Sequence, residues 1–291
     1  MTGRRLLLRL AVTLGMVLMA ESVRAEVKLI ADIEYANVDG HSLQLDLYMP
    51  QKVERPKLVV WVHGGGWHQG TRENPRLRWL ADEGYALASI SYRLTDKATF
   101  PAQIQDCKGA VRWLRANASV YGYDADQIVA AGSSAGGMLV ALLGTSAEVD
   151  ALEGDVGGNL EQSSRVQGVV DFFGAHDFIL RSKTQSEKTS TPGSSVYRLF
   201  GGTVADKQDL ARLASAVTHV SDDDPPVLIL HGTEDSTVLP DQAKRLEEVY
   251  QDAGLPVELI MIEGAGHGGK VFDEPQYREK IRAFVKNCFA E

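Results

Sequence analysis

Two patterns of hydrophobic and polar positions follow one another along the chain. Over residues 27–49 apolar and polar positions alternate, most plainly at Leu43, Leu45 and Leu47, on either side of Asp39-Gly40. A period of two around an Asp-Gly pair predicts an antiparallel hairpin, and Pro50 ends it. From there the chain turns to short continuous apolar runs rich in β-branched residues, at 58–62, 86–92, 128–131, 166–173, 227–230 and 257–262. Runs without alternation predict strands buried on both faces. Segments with helical spacing lie between or after them, at 75–83, 101–118, 135–143, 240–253 and 275–289. Most open on proline, which the first turn of a helix accommodates.

Strands alternating with helices predict an α/β fold: a mainly parallel central sheet with an N-terminal antiparallel hairpin and helices on both faces. In such a sheet functional residues gather in loops just past the carboxyl ends of the strands. The rhythm breaks over 145–165 and 175–224, where Gly, Ser, Thr and acidic residues accumulate. Both segments are expected to be insertions above the sheet, leaving 26–291 as a single domain. Helices after successive parallel strands fall on one face or the other; in this fold the helix carrying Cys107 and the last helix, carrying Cys288, are expected on opposite faces, and the two cysteines are not expected to be bonded to each other.

The first 25 residues stand apart from this pattern. Arg4 and Arg5 precede a mostly apolar stretch over 6–20, and Val23-Arg24-Ala25 offers small residues for cleavage. The apolar run over 10–20 is short of the roughly 20 residues that cross a bilayer. Residues 1–25 therefore read as a secretory signal cleaved after Ala25, leaving no stable membrane anchor and a secreted or periplasmic chain. Cleavage would remove four Arg and one Glu and move the net charge from −9 to −12. A chain that acidic, with no Lys/Arg run of five or more, repels nucleic-acid phosphates. Two cysteines without a CxxC spacing support neither a disulfide scaffold nor a cysteine zinc site.

The candidate chemistry sits after the expected strands. Gly132-Ser133-Ser134-Ala135-Gly136 fits G-x-S-x-G and lies between a strand and a helix. That setting predicts a sharp turn lifting the Ser134 hydroxyl clear of the sheet, with flanking glycines letting neighbouring backbone pass. His63-Gly64-Gly65-Gly66-Trp67 follows the strand ending at Val62. Its bare backbone supplies candidate oxyanion donors at Gly65 and Gly66, with the amide of Ala135 as a third.

A serine nucleophile needs a base, and His267, in Gly264-Ala265-Gly266-His267-Gly268-Gly269 after the last strand, is the candidate. His63 and His231 end strands next to glycine and read as loop-orienting, His41 sits in the hairpin turn, and His68, His176 and His219 either line a pocket or are solvated. Asp235, after the penultimate strand, is the acid expected to hold the imidazole; Glu234 and Asp171 compete for that role. The chain order Ser134, Asp235, His267 is that of α/β-hydrolases.

Other motifs carry less. Gly264, Gly266 and Gly269 match G-x-G-x-x-G, and 264–270 nearly match a P-loop, yet Val271 replaces the required hydroxyl residue and too little chain follows for a dinucleotide fold. Asp222-Asp223-Asp224 lacks the alternating spacing of a calcium loop and reads as solvated. No H-E-x-x-H is present. Neither metal nor organic cofactor is called for.

With these motifs in place the chain resembles the α/β-hydrolase superfamily, and within it the hormone-sensitive-lipase-like esterases and the bacterial feruloyl esterase-like group. The likeness covers essentially all of 26–291 and rests on the motifs beginning at His63 and Gly132, on His231-Gly232-Thr233-Glu234-Asp235 and on Gly266-His267-Gly268. It implies Ser134 as nucleophile, Asp235 as acid and His267 as base. Hormone-sensitive-lipase-like enzymes commonly carry a helical cap ahead of the HGGG loop, where this chain has only a strand hairpin. That departure points toward feruloyl or acetylxylan esterases, and leaves 175–224 alone to cover the site. The implied function is a secreted serine carboxylesterase acting on short acyl or aryl esters, free or polysaccharide-linked, through a covalent acyl-enzyme. An arylformamidase-like amidase and a catalytically silent binding module on the same fold are the alternatives.

Overall fold

The computed structural model describes residues 26–290; the expected signal lies outside them. Among the described residues one eight-stranded sheet forms, built from β1 (Val27–Val38), β2 (His41–Pro50), β3 (Lys57–Val62), β4 (Ala86–Ile90), β5 (Asp124–Ser133), β6 (Gly168–Phe172), β7 (Val227–Gly232) and β8 (Val257–Ile262). Their order across the sheet is β1-β2-β4-β3-β5-β6-β7-β8. The first two strands are the antiparallel hairpin, turning at Asp39 and Gly40, both with positive φ. β2 runs antiparallel to β4, and every pair from β4 to β8 is parallel.

Continuous apolar runs arise in β3 to β7 because these strands face a helical layer on both sides; β8, expected to be buried on both faces, is the edge strand and is buried only in part, with Glu258 exposed. In β3, Leu58, Val60 and Val62 enter one core with Ile104, Val111, Leu139 and Leu246 from the helices Ala102–Ala116, Ala135–Thr145 and Asp241–Asp252. Val59 and Trp61 point the other way, against Leu77, Leu80 and the Ile281 and Val285 of the final helix Pro275–Cys288. Each such side chain contributes about 1.5–3 kcal/mol by leaving water. Cys107 belongs to the first core and Cys288 to the second, so the sheet stands between them.

Register positions the site. Val62 pairs with Gly132, Gly132 with Asp171, Phe172 with Leu230, and Gly232 with Ile262. The carboxyl ends of β3 and β5 to β8 thus lie in a row, and the loops after them share one edge.

One expectation needs correction. The 145–165 segment does not stand above the sheet with 175–224: it packs on the helix Ala102–Ala116 and the start of β5. Lys108 Nζ donates to Ser146 O (2.8 Å) and to Glu153 Oε2 (2.9 Å), Arg112 pairs with the same carboxylate, and Arg115 reaches the carbonyls of Ala125, Ser163 and Arg165. Two buried cations, not the polar composition, decide where this segment lies. About half of the 175–224 segment is helical, in the short pieces Phe178–Thr184, Ser186–Ser190, Ser195–Phe200 and Gln208–Leu213. Their shortness hid the helical period from the sequence, while Asp177 and Ser194 cap two of them, accepting from Leu180 N (2.8 Å) and Tyr197 N (3.3 Å).

Candidate active site

Ser134 follows β5 directly and adopts φ 54°, ψ −114°, a strained conformation for a residue with a Cβ. Its amide donates to Phe172 O (2.8 Å), which pins the turn to β6. The flanking glycines are steric necessities. A Cβ on Gly132 would overlap the Gly136 carbonyl, and one on Gly136 would overlap the Val62 carbonyl. Gly137 is equally constrained, since its Cβ would strike the Asp171 carboxylate; no part of the G-x-S-x-G pattern pointed to it.

The structure brings the three candidate catalytic side chains into one line. His267 Nε2 lies 2.8 Å from Ser134 Oγ, and His267 Nδ1 lies 2.6 Å from Asp235 Oδ2. Nδ1–H donates to the ionised carboxylate, which leaves the Nε2 lone pair for the serine hydroxyl proton. Asp235 is buried, and its Oδ1 accepts from the amides of Thr237 (2.8 Å) and Val238 (3.0 Å). Burial by itself would raise its carboxyl. Hydrogen bonds from His231, His267 and the Val238 amide outweigh that and hold it well below the ordinary carboxylate range.

The rival acids fall elsewhere. Glu234 is exposed. Asp171 is fully buried, 2.9 Å from His176 Nε2, and accepts from the Gly174 amide (3.0 Å). His176 therefore neither lines a pocket nor meets solvent: its partner is the buried Asp171, which five-residue spacing alone did not reveal. His219 is half-buried and bonds Leu213 O (2.9 Å).

His231 has a part that sequence reasoning missed. Its Nε2 donates to Val238 O (2.9 Å) and lies 3.3 Å from Asp235 Oδ2, so it braces both the acid and the loop that carries it. Phe173, at φ 47°, sets its ring against the His267 imidazole, edge to face with centroids 4.7 Å apart. Gly268, at φ 92°, leaves room for that ring. The expected glycine-rich loop 264–269 thus serves to carry His267, and the Gly264 amide is tied to Thr233 Oγ1 (2.8 Å).

On the opposite wall, Gly65 and Gly66 both take positive φ (111° and 58°). The Gly65 carbonyl turns away to accept from the amides of His68 (3.2 Å) and Gln69 (3.1 Å). Among the described residues no hydrogen bond occupies the amides of Gly65, Gly66 or Ala135. A Cβ on Gly64 would come within 2.7 Å of Ser133 O, so this loop lies directly against the elbow. His63 stacks on Tyr92 (centroids 4.4 Å apart) with Nδ1 2.7 Å from Gly64 O; burial pushes its pKa down against that hydrogen bond. Gly65, Gly66, Ser134, Ala135 and His267 line one cavity of about 350 Å³, which Phe173 and the 175–224 segment help to close. Among the described residues no group of three or more His, Cys, Asp and Glu is placed to hold a metal ion. Asp224 accepts from the backbone and hydroxyl of Ser221, and Asp223 pairs with Arg165 (2.7 Å).

A parallel sheet of this order, with a strained serine after β5, a carboxylate after β7 and a histidine after β8, defines an α/β-hydrolase. Known proteins narrow that class. The BD-FAE family matches residues 45–250, and the chain belongs to this family of hormone-sensitive-lipase-like α/β-hydrolase esterases. The chain is 30% identical to the esterase LipC of Mycobacterium tuberculosis over 74% of its own length and 54% of that protein. It spans about half the length of the curated relatives it matches first. Among solved structures, a truncated carbohydrate esterase from gut microbiota superposes with a TM-score of 0.81 at 28% identity, covering 94% of this chain and 99% of that one. The propionate-bound esterase Est2 of Thermogutta terrifontis does so at 0.70 and 26%, covering 93% and 95%.

Proposed function

We propose that the chain is a serine carboxylesterase that hydrolyses short acyl or aryl esters, acetyl and feruloyl types included, through a covalent acyl-enzyme. The observation that carries this reading is the unbroken hydrogen-bonded line from Ser134 Oγ through His267 to Asp235, mounted on a strained turn. His267 Nε2 takes the hydroxyl proton as Ser134 Oγ attacks the ester carbonyl. The amides of Gly65, Gly66 and Ala135 receive the oxyanion, and His267 returns the proton to the departing alcohol. Water then attacks the acyl-enzyme by the same relay and frees Ser134. Bonds to the imidazolium strengthen as charge develops, so the buried, ionised Asp235 favours the transition state over the ground state.

The preference for short or flat acyl groups is supported by a cavity of about 350 Å³, near the lower end of the roughly 300–1,000 Å³ common for ligand sites. A carbohydrate esterase and a propionate-bound esterase among the similar structures support small carboxylic esters, free or attached to polysaccharide. Export rests on residues 1–25 acting as a cleaved signal. The test is hydrolysis of 4-nitrophenyl acetate, butyrate and laurate and of methyl ferulate by purified protein. We expect kcat/KM to be highest on the short acyl or feruloyl esters; a higher value on laurate overturns the size preference, and no hydrolysis of any ester overturns the reading.

A further inference from the structure

Arg181 sits in the helix Phe178–Thr184 of the covering segment and lines the same cavity as Ser134 and His267, yet the chemistry above does not use it. The residue is only 5% exposed. Its Nε donates to Gln185 Oε1 (3.2 Å) and its Nη2 to Thr237 O (2.9 Å). Among the described residues Nη1 has no hydrogen-bond partner, and no carboxylate lies within ion-pairing distance of the guanidinium. The neighbouring acids are otherwise engaged. Asp235 serves His267 and His231, and Asp177 caps the helix and faces Arg245 at 3.8 Å. Asp235 and Asp241 favour the guanidinium's charge only from a distance. Burial lowers its pKa to about 10 against those two acids, which leaves it a cation at neutral pH.

Arginine is almost never buried without an anionic partner, because the cation loses its hydration and needs compensation. Here the free edge of the fork, Nη1 and the second hydrogen of Nη2, belongs to a group lining the cavity where an ester must lie. A planar guanidinium with one edge free matches a carboxylate, which accepts two parallel hydrogen bonds. We propose that Arg181 is a specificity-determining residue that receives a carboxylate carried by the substrate, so that esters with an acidic group near the scissile bond are preferred over neutral ones. The proposal rests on the esterase reading and names a substrate class for it. The carboxylate can belong to the acyl part, as in a half-ester of a dicarboxylic acid, or to the alcohol part, as in an esterified hydroxy or uronic acid.

Matched ester pairs separate these sources. For the acyl side, 4-nitrophenyl hemisuccinate is compared with 4-nitrophenyl butyrate; for the alcohol side, 3-acetoxybenzoate with phenyl acetate. The wild type is expected to favour the charged member of at least one pair. Arg181→Gln is expected to lower kcat/KM on that member by about 10- to 100-fold, the range of a lost charge-assisted hydrogen bond, and to leave neutral esters within about threefold. Arg181→Lys, which keeps the charge without the fork, should recover part of the loss. A turnover-free arm measures the melting temperature with N-phenylsuccinamate, the amide counterpart of an aryl hemisuccinate, and with 3-acetamidobenzoate, that of the acetoxybenzoate. One of them should stabilise the wild type and not Arg181→Gln. Failure of every ester to react, with that stabilisation intact, defeats the esterase reading and leaves the carboxylate site standing. No charge preference and no stabilisation overturns the site. An equal fall on charged and neutral esters also overturns it, because Arg181 would then only support the Thr237 carbonyl.

Discussion

Replacing Asp235 with Asn probes the relay at the atom that sets its direction. Two backbone amides, Thr237 N and Val238 N, donate to Oδ1 at 2.8 and 3.0 Å. An asparagine keeps its carbonyl oxygen there, because turning the NH2 toward those donors would sacrifice one buried and one part-buried hydrogen bond, at up to about 1–3 kcal/mol each, against the single longer contact of 3.3 Å that His231 Nε2 makes at Oδ2. The NH2 group then faces His267 Nδ1, where the carboxylate Oδ2 stood at 2.6 Å. It donates to Nδ1 and forces the proton onto Nε2, so the imidazole presents a donor to Ser134 Oγ and cannot act as base. A triad histidine held in that tautomer loses about 10⁴ in turnover, or roughly 5.4 kcal/mol of barrier. Rescue by Glu234 is not expected, since that side chain is exposed while Asp235 is buried. The assay is kcat on 4-nitrophenyl acetate, with thermal melts and circular dichroism to establish folding. A folded Asp235→Asn within about tenfold of wild type, some 1.4 kcal/mol, would refute the reasoning, as would a larger fall for Glu234→Gln or Asp171→Asn.

The remaining predictions concern packing and pH. Gly136→Ala puts a methyl group into the Val62 carbonyl; overpacking of this kind costs about 1–3 kcal/mol and should displace the elbow, so both melting temperature and activity fall, and an unchanged pair of values contradicts it. Glu153→Gln leaves the buried Lys108 and Arg112 without their carboxylate. Breaking a fully buried pair costs about 3–5 kcal/mol; since Glu153 is 34% exposed we expect about 2 kcal/mol by denaturant unfolding, with esterase activity retained in the folded fraction. Because the folded Asp235 carboxyl lies below its unfolded value of about 3.9, its contribution is complete above that pH and is lost as pH falls through the folded value. The gap in stability between wild type and Asp235→Asn should therefore narrow on acidification below about pH 4, and a gap that widens there contradicts the assignment.

Much of this was legible in the chain because the signals were local. Continuous apolar runs marked β3 to β7 since each is sandwiched between helical layers, and a strand-turn-helix setting gave Gly132 to Gly136 its meaning. Loops after β5, β7 and β8 meet at one edge once the sheet is parallel, so Ser134, Asp235 and His267 could be named before their distances were known. What stayed hidden depended on partners distant in sequence or on side-chain direction. His176 looked like a pocket or surface residue until Asp171 appeared beside it, and His231 gave no sign of bracing Asp235. Phe173 has an ordinary apolar character, and only its positive φ turns the ring toward His267. Arg181 sat in a segment whose short helices lack a clear period, so its burial beside the serine could not be read from spacing.

Two adjacent serines stand at the elbow, and only one of their hydroxyls can be the nucleophile. Ser134 bonds His267 at 2.8 Å, whereas Ser133 ends β5 and lies against the Gly64 loop. The direct measurement is labelling with a fluorophosphonate, followed by intact mass and peptide mapping of wild type, Ser133→Ala and Ser134→Ala. One adduct is expected, on Ser134, formed at near wild-type rate in Ser133→Ala and absent from a folded Ser134→Ala. An adduct on Ser133, or ester hydrolysis that persists in Ser134→Ala, would contradict it.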